Sequence, residues 1–255
     1  MSVLESFRLD GRVALVTGAS RGLGQAMAIA LAQAGADVAL SSSSEAGETV
    51  AAVRAAGRRV IDLPLDLGAA SVSDLAALVD RVVGELGRLD ILVNNAGIIR
   101  RTPAIDFSEA DWDDVIAINE RAVFFLAQAA ARRMIPAGGG SIINTASLLS
   151  YQGGINVPSY TAAKSAVAGL TRALANEWAR QGVRVNGIVP GYFATDNTAQ
   201  LRDDPDRSAA ILDRIPAGRW GTPDDLAGAV VFLASPASAY VNGHLLAVDG
   251  GWLAR

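Results

Sequence analysis

Short runs of β-branched and aliphatic residues alternate with longer helix-forming segments along almost the whole chain. The runs that predict strands are 12–17, 37–41, 59–64, 91–94, 141–145, 184–189 and 244–248, and those that predict helices are 22–34, 45–56, 71–86, 108–135, 159–181 and 223–234. Apolar strands that alternate with helices are typical of a parallel sheet covered on both faces. The sequence therefore predicts a doubly wound α/β fold with a seven-stranded parallel sheet of the Rossmann type.

The chain is long enough for one large α/β domain. It has 255 residues, 51% of them hydrophobic, and no long low-complexity stretch that would indicate a linker. The polar and charged segment 192–219 interrupts the alternation after the sixth strand. Because ligands of doubly wound folds bind beyond the carboxyl ends of the strands, we expect residues 192–219 to form a substrate lobe on a single domain, 1–255.

Composition excludes several kinds of site and partner. The chain has no cysteine, which removes disulfides and thiolate sites, and its one histidine, His244, cannot form a multi-histidine metal cluster. We expect no metal, and we expect His244 to be a strand residue near the surface. A formal charge of −4 with interspersed signs predicts no nucleic-acid partner. The absence of an apolar run of about 18 residues and of signal-peptide features predicts a soluble, cytoplasmic protein without a membrane partner.

A glycine-rich loop follows the first predicted strand and opens directly into a helix. Its sequence, residues 17–24, is Thr-Gly-Ala-Ser-Arg-Gly-Leu-Gly. Glycines at such a turn let the backbone approach a pyrophosphate, whose charge is met by the free amides at the helix N-terminus. The spacing is Gly-x-x-x-Gly-x-Gly and differs from the usual Gly-x-Gly-x-x-Gly fingerprint, but its position after the first strand predicts a dinucleotide cofactor.

The end of the second strand bears on the choice of dinucleotide. An acid usually stands there and binds the ribose hydroxyls, whereas here four serines begin at Ser41 and no acid occurs before Glu45. Arg21, in the glycine loop, can reach a 2′-phosphate with a bidentate contact. These features favour NADP(H), with NAD(H) as the alternative. The other interpretation is that Arg21 is a solvated loop charge and the serines a polar turn.

A tyrosine and the only lysine of the chain are four residues apart in a predicted helix. Of the 22 Lys and Arg residues, Lys164 alone is lysine, and it follows Tyr160. Side chains at positions i and i+4 of a helix lie on the same face, one turn apart. A neighbouring cation lowers the pKa of a phenol, as suits a general acid or base that interconverts alcohol and ketone. The alternative is an exposed lysine beside a tyrosine.

Six motifs in this order resemble those of the short-chain dehydrogenases/reductases, over nearly the whole chain. They are the glycine loop, residues 94–97 (Asn-Asn-Ala-Gly), Asn119, Ser147, Tyr160 with Lys164, and Pro190 with Gly191. The resemblance implies an NAD(P)-dependent oxidoreductase whose catalytic residues are Asn119, Ser147, Tyr160 and Lys164.

The resemblance also implies a role for each of these four residues. Tyr160 exchanges a proton with the substrate oxygen, and Ser147 holds that oxygen. Lys164 contacts the nicotinamide ribose and lowers the pKa of Tyr160, while Asn119 anchors a water in the proton relay. Singly, each of these polar residues also has a structural interpretation, such as a helix cap for Ser147.

Further residues that match the family pattern are expected to bind the cofactor. The resemblance places Asp66 near the adenine and Thr195 near the nicotinamide. The full set of expected cofactor-binding residues is Gly18, Ser20, Arg21, Gly22, Leu23, Gly24, Ser41, Asp66, Leu67, Asn94, Ala96, Gly97, Tyr160, Lys164, Pro190, Gly191 and Thr195.

A narrower resemblance, to dehydrogenases of keto-deoxy sugar acids, covers the segments 95–101, 150–160, 190–198, 211–221 and 248–255. It implies a small keto-sugar acid as substrate and a homotetramer that the apolar C-terminal tail helps to form. Arg21 departs from that group and is more typical of ketoacyl reductases. A sugar acid needs a cation for its carboxylate and hydrogen-bonding groups for its hydroxyls. The candidates for these contacts are Arg101, Ser147, Gln152, Asn156, Asn197 and Arg202.

Two other functions stay open at this stage. A reductase of 3-oxoacyl thioesters would use the same four catalytic residues, but it would be expected to carry a basic surface for an acidic carrier protein, and no basic run is evident. A dinucleotide-binding regulatory protein would keep the fold without the chemistry. Intact Ser147, Tyr160 and Lys164 argue against this second alternative.

Overall fold

Seven parallel strands form one sheet in the computed structural model, which describes residues 2–255. The strand order is β3-β2-β1-β4-β5-β6-β7, and every neighbouring pair is parallel. The strands are β1 (Val13–Thr17), β2 (Asp37–Ser41), β3 (Val60–Asp62), β4 (Ile91–Asn94), β5 (Gly140–Thr145), β6 (Val183–Pro190) and β7 (Leu245–Val248). The predicted doubly wound fold is confirmed.

Helices connect the strands and cover the sheet. They are α1 (Gly22–Gln33), α2 (Gly47–Ala55), α3 (Val72–Leu86), α4 (Glu109–Ile116), α5 (Ala122–Met134), α6 (Pro158–Trp178), α7 (Ala199–Asp203), α8 (Pro205–Arg214) and α9 (Ala227–Ala234). Helices α3 and α5 contribute to the apolar core on one face of the sheet, and α1 and α9 to the core on the other. Along β1, Val13 and Leu15 belong to the first core and Ala14 and Val16 to the second, which is the two-residue period of a strand buried on both faces.

The predicted helix 108–135 is interrupted by a π-helical turn. Residues Ala117–Arg121 lie between α4 and α5 in this conformation, and the Ala122 amide bonds the Ala117 carbonyl five residues earlier. Such bulges occur frequently at functional sites. The turn contains Asn119, whose side chain is fully buried. Sequence periodicity over 108–135 did not reveal the interruption, because one inserted residue preserves the helical character on both sides.

The predicted third strand is too long by three residues. It was expected over 59–64, but β3 begins at Val60 and ends at Asp62. Pro64 cannot donate a ladder hydrogen bond, and β3 is at the edge of the sheet with a partner on one side only.

The segment 192–219 contains two short helices, which the sequence had not predicted. Asp204 caps α8 by accepting a hydrogen bond from the Arg207 amide at 3.0 Å, and Pro205 occupies the first helical position. Ile211 and Ile215 join a third apolar cluster, which includes Trp252. This cluster attaches the segment to the sheet beside the carboxyl end of β6.

Candidate active site

A cleft of about 370 Å³ lies beyond the carboxyl ends of the strands. The chain order of the strands reverses between β1 and β4, and ligands of doubly wound folds bind at this switch point. Most of the predicted site residues line the cleft: Gly18, Ser20, Arg21, Gly22, Leu23, Gly24, Asp66, Leu67, Ala96, Gly97, Ser147, Tyr160, Lys164, Pro190, Gly191, Thr195 and Asn197. Ser41, Asn94, Arg101, Asn119 and Gln152 lie outside the lining.

The glycine loop fits a dinucleotide phosphate. Gly22 has φ +59°, and a Cβ built there would meet only the Thr195 methyl group, at 3.8 Å, so the backbone is open to the cleft. A Cβ at Gly24 would lie 2.1 Å from the Gly18 oxygen, because α1 packs directly on the turn. Arg21 precedes α1 without a side-chain cap, which leaves the first helix amides free for an anion.

Asn95, which follows β4, holds this loop in place. The side-chain nitrogen of Asn95 donates to the Thr17 carbonyl at 3.0 Å. The Thr17 hydroxyl accepts from the backbone amides of Asn95 and Ala96. Asn94 was also expected to bind the cofactor. Its side chain is buried and donates to the Asn144 side-chain oxygen at 3.0 Å, so a contact with the cofactor would come from its backbone and stays a prediction. Asn95 itself lines the cleft.

The serines at the end of β2 and after it also differ in position. Ser41, predicted to contact the cofactor, is buried with no hydrogen-bond partner for its hydroxyl, whereas Ser42 and Ser43 line the cleft. A charge introduced at position 41 would therefore be buried within the protein. Of the two serines that line the cleft, Ser43 is exposed.

Tyr160 and Ser147 lie together in the cleft. Burial raises the pKa of the Tyr160 phenol, while the Ser147 hydroxyl and the charge of Arg101 act in the lowering direction and do not offset it. The phenol of the free protein is thus protonated at neutral pH and able to donate. Ser147 also caps a short 3₁₀ turn, because its oxygen accepts from the Leu149 amide at 3.2 Å. That bond uses an acceptor site and leaves the hydroxyl proton available.

Lys164 is buried beneath Tyr160. Its ammonium lies 5.6 Å from the centroid of the Tyr160 ring and donates to the Thr145 carbonyl at 2.6 Å. Burial lowers the pKa of Lys164 to about 8. The resemblance implied that Lys164 lowers the pKa of Tyr160, whereas in the free protein burial of the phenol raises that pKa.

Asn119 lies behind the cleft and not on its wall. Its side-chain oxygen accepts from the Ile98 amide at 2.9 Å, and its side-chain nitrogen donates to the Ile98 carbonyl at 2.7 Å. The side chain therefore fixes the loop that follows β4. The resemblance implied that Asn119 anchors a water in the proton relay, and that role stays a prediction.

The candidate substrate residues surround the cleft mouth. Arg101 donates to the Asn197 carbonyl at 3.1 Å and joins the loop after β4 to the segment 192–219. Arg202 donates to the Thr195 carbonyl at 3.2 Å. Asn156, which has φ 62°, uses its carbonyl to accept from the Thr102 amide at 3.0 Å. These contacts connect three loops around one opening.

Gln152 is held by two donors from the far end of the chain. Its side-chain oxygen accepts from the Trp252 indole nitrogen at 3.3 Å and from Arg214 at 3.4 Å, and the Arg214 guanidinium lies 4.0 Å from the Trp252 ring centroid. Trp252 is buried within its own chain, and its ring lies 4.6 Å from that of Tyr192. The tryptophan of the tail thus packs on the lobe segment of its own chain, and a role of the tail in a homotetramer stays a prediction.

Within residues 2–255, no group of three or more His, Asp or Glu side chains is arranged to hold a metal ion. His244 is exposed one residue before β7. Its carbonyl accepts from the Gly187 amide, and its backbone amide donates to the side-chain oxygen of Asn186 at 3.0 Å. None of the helices in the described part of the chain is long and apolar enough to cross a membrane.

The fold and the cleft define a class of protein, the dinucleotide-dependent oxidoreductases of doubly wound architecture. Comparison with known proteins identifies the family. Residues 18–253 match a protein-family model described as Enoyl-(Acyl carrier protein) reductase. The 2-dehydro-3-deoxy-D-gluconate 5-dehydrogenase of Dickeya dadantii (strain 3937) is 60% identical over 254 residues, which cover 99% of this chain and 100% of the relative. The chain belongs to the short-chain dehydrogenase/reductase family and is an oxidoreductase.

Solved structures agree with this assignment. A candidate 2-deoxy-D-gluconate 3-dehydrogenase from Agrobacterium tumefaciens with bound NADP has a TM-score of 0.92 and 53% identity, over 98% of this chain and 99% of that one. A gluconate 5-dehydrogenase from Burkholderia cenocepacia J2315, in complex with NADP and tartrate, has a TM-score of 0.93 and 41% identity over the full length of both chains. The resemblance to sugar-acid dehydrogenases is thus confirmed at the level of sequence and fold.

Proposed function

We propose that this protein interconverts a secondary alcohol and a ketone on a keto-deoxy sugar acid of the 2-dehydro-3-deoxy-D-gluconate type, with NADP(H) as its preferred cofactor. The full-length similarity to the Dickeya dadantii relative carries the proposal. The cleft supports it, because Tyr160, Ser147 and Lys164 converge there and Arg101 lies close enough to influence the pKa of Tyr160. The whole chain then acts as one domain, with residues 192–219 as its substrate lobe.

Two neutral donors act on the substrate oxygen in this proposal. Tyr160 gives its proton to the oxygen of the ketone during reduction and takes it back during oxidation. Ser147 donates its free hydroxyl proton to the same oxygen and holds it in place. When bound, the nicotinamide dinucleotide supplies or accepts the hydride at the adjacent carbon.

Lys164 and Arg101 set the charge around that step. With the developing charge on the phenol oxygen, the nearby ammonium of Lys164 stabilises phenolate over phenol. Arg101 is exposed at the cleft mouth, where its guanidinium can pair with the substrate carboxylate in a bidentate contact. Gln152 and Asn197 are the proposed partners of the substrate hydroxyls.

The preference for NADP(H) follows from the lining of the cleft at its β2 side. Ser42 and Ser43 stand where an acid would repel a 2′-phosphate, and Arg21 is the exposed cation of the glycine loop. The NADP bound in two similar structures supports this choice, with NAD(H) as the alternative.

A kinetic panel tests the function directly. The purified protein would be assayed with 2-dehydro-3-deoxy-D-gluconate, 5-dehydro-D-gluconate and a simple ketone without a carboxylate, each with NADPH and with NADH. We expect the highest kcat/KM for a sugar acid with NADPH. Equal turnover of the simple ketone would contradict the substrate assignment, since the carboxylate contact would then contribute nothing.

A 3-oxoacyl thioester reductase is the second candidate. The description of the matching family model names a reductase of thioesters on acyl carrier protein, which is the substrate class of this candidate, and the same tyrosine and serine would serve to reduce a 3-oxo group. An acetoacetyl thioester added to the panel separates the two functions. Turnover of the thioester above that of every sugar acid would replace the main proposal.

We also propose a cytoplasmic homotetramer. Ile105 and Tyr240 are large side chains that are almost fully exposed in the single chain, and contacts between subunits would bury them. Light scattering of the purified protein measures the subunit number. A monomer would contradict this part of the proposal.

A further inference from the structure

Arg21, the arginine proposed to bind the cofactor phosphate, is paired with an acid on the opposite wall of the cleft. One nitrogen of its guanidinium lies 3.2 Å from a carboxylate oxygen of Asp196. Both residues line the cleft, and both side chains are largely exposed, at 78% and 74%. The pair therefore spans open solvent at the cofactor cleft and is not part of the core.

The strand order shows toward which end of the cleft the Arg21 side chain is turned. Arg21 follows β1, Asp196 follows β6, and β6 is on the β4 side of β1. Ser42 and Ser43 follow β2, which is on the other side of β1. In doubly wound folds the adenosine ribose is recognised at the end of the second strand. Arg21 thus turns away from the end of the cleft where a 2′-phosphate would bind.

We infer that Asp196 is a specificity-determining residue that competes with the 2′-phosphate of NADP(H) for Arg21. The inference rests on the proposed use of NADP(H). To contact the phosphate, the guanidinium must leave Asp196 and turn toward β2, and the carboxylate then loses its partner. NAD(H) carries no 2′-phosphate and makes no such demand on Arg21. Asp196 consequently weakens the binding of NADP(H) more than that of NAD(H).

The size of the effect follows from the exposure of the pair. An ion pair between solvent-exposed side chains is weak, so the phosphate can displace it, and removing it changes affinity by about three- to five-fold. Because the two charges are exposed to solvent, added salt screens them and reduces this change in affinity.

The test is a fluorescence titration of NADPH and NADH binding, without sugar acid, to wild-type protein and to Asp196→Asn. The substitution keeps the size and polarity of the side chain and removes its charge. We expect NADPH to bind about three- to five-fold more tightly to the variant and NADH to change less than about two-fold. In an Arg21→Ala background, Asp196→Asn should give no gain for NADPH. Asp203→Asn, at an exposed acid of the same segment outside the cleft lining, is the matched control.

Each other outcome overturns the inference. Equal gains for both cofactors would make Asp196 a general negative charge, and weaker NADPH binding would make the ion pair a clasp that retains the cofactor. An unchanged affinity for NADPH would mean that Asp196 does not compete with the 2′-phosphate for Arg21 in solution. The wild-type titration separates this inference from the proposed function, because a protein that binds both dinucleotides but turns over no sugar acid would contradict the proposed substrate only.

Discussion

The ammonium of Lys164 lies 5.6 Å from the centroid of the Tyr160 ring, and its hydrogen bond goes to the main-chain oxygen of Thr145. The lysine thus joins α6 to the end of β5 and keeps its charge near the Tyr160 ring. Its backbone carbonyl also accepts from the Ser150 hydroxyl at 2.6 Å, which fixes the turn that carries Ser147. Residue 164 therefore contacts the end of β5 through its side chain and the turn after Ser147 through its backbone.

Replacing Tyr160 by Phe should remove the proton donor and keep the ring. Because general acid–base groups contribute about 100-fold or more, we expect a loss of at least that size in kcat for the reduction, with NADPH affinity little changed. Steady-state kinetics and a binding titration measure the two effects. Tyr151→Phe, at an exposed tyrosine outside the cleft lining, is the control and should retain activity. If Tyr160→Phe kept more than about a tenth of the rate, the catalytic assignment would be wrong.

The burial of Lys164 predicts a pH dependence of stability. Its pKa in the folded protein is about 8, against 10.5 for the ordinary group. Between these values the unfolded state binds the extra proton, so the contribution of Lys164 to the unfolding free energy rises with pH and levels off above about pH 10.5. The difference between wild type and Lys164→Met should therefore shift in favour of the wild type by on the order of 2 kcal/mol from pH 8 to pH 10.

Urea unfolding of the two proteins at several pH values measures this difference. The comparison with Lys164→Met is needed because burial raises the pKa of Tyr160, so the phenol contributes with the opposite sign when it ionises at higher pH. A difference independent of pH would mean that Lys164 titrates in the folded state as it does in water.

The fold and the catalytic cluster were predictable from the sequence because both depend on local patterns. Tyr160 and Lys164 share a helix face by their spacing alone, and strand–helix alternation fixes the edge of the sheet at which ligands bind. Ser41 was selected at the end of β2, where Ser42 and Ser43 line the cleft, and Asn95, which lines it after β4, was not selected. Side chains alternate between faces along a strand, so an uncertainty of one residue at a strand end exchanges a buried side chain for a cleft one.

Long-range partners were not predictable from a single sequence. Gln152 and Trp252 are 100 residues apart, and Arg21 and Asp196 are farther apart still. Their contacts depend on how the segment 192–219 and the C-terminal tail pack on the sheet, and no local pattern encodes that packing. Exposed polar residues at such positions are indistinguishable in sequence from solvated loop residues.

Trp252→Phe should impair the recognition of the substrate more than the chemistry. The indole and Arg214 are both pure donors, so the Gln152 oxygen accepts from them and its amide group stays free to donate. Phenylalanine keeps a ring beneath Arg214 and loses the indole hydrogen bond. A lost hydrogen bond of about 1 kcal/mol predicts a rise in KM of about five-fold for the sugar acid, with kcat changed less.

Trp220→Phe is the matched control, since its ring packs 5.6 Å from that of Tyr192 in the same cluster. An equal rise in KM for both variants would indicate general loosening of the cluster. A fall in kcat at constant KM would contradict the proposed role of Gln152 in binding the substrate.

Lys164→Arg offers the sharpest test of the buried lysine, because it keeps the charge and changes only the shape and acidity of the cation. Lys164 is only 3% exposed and its nitrogen lies 2.6 Å from the Thr145 carbonyl, which leaves little room for a larger planar guanidinium. Arginine also stays protonated throughout, whereas the pKa of Lys164 is about 8 and allows it to take part in proton transfer near neutral pH.

We expect Lys164→Arg to lower kcat at least about 100-fold and to shift the pH profile of the remaining activity to higher pH, because a displaced cation would stabilise the Tyr160 phenolate less. Circular dichroism and NADPH titration check that the fold and the cofactor site persist. Arg172→Lys, elsewhere on α6, is the control for an Arg–Lys exchange outside the cleft lining. Near-normal turnover with an unshifted pH profile would mean that the position requires only a positive charge, and Lys164 would then have no part in the proton transfer.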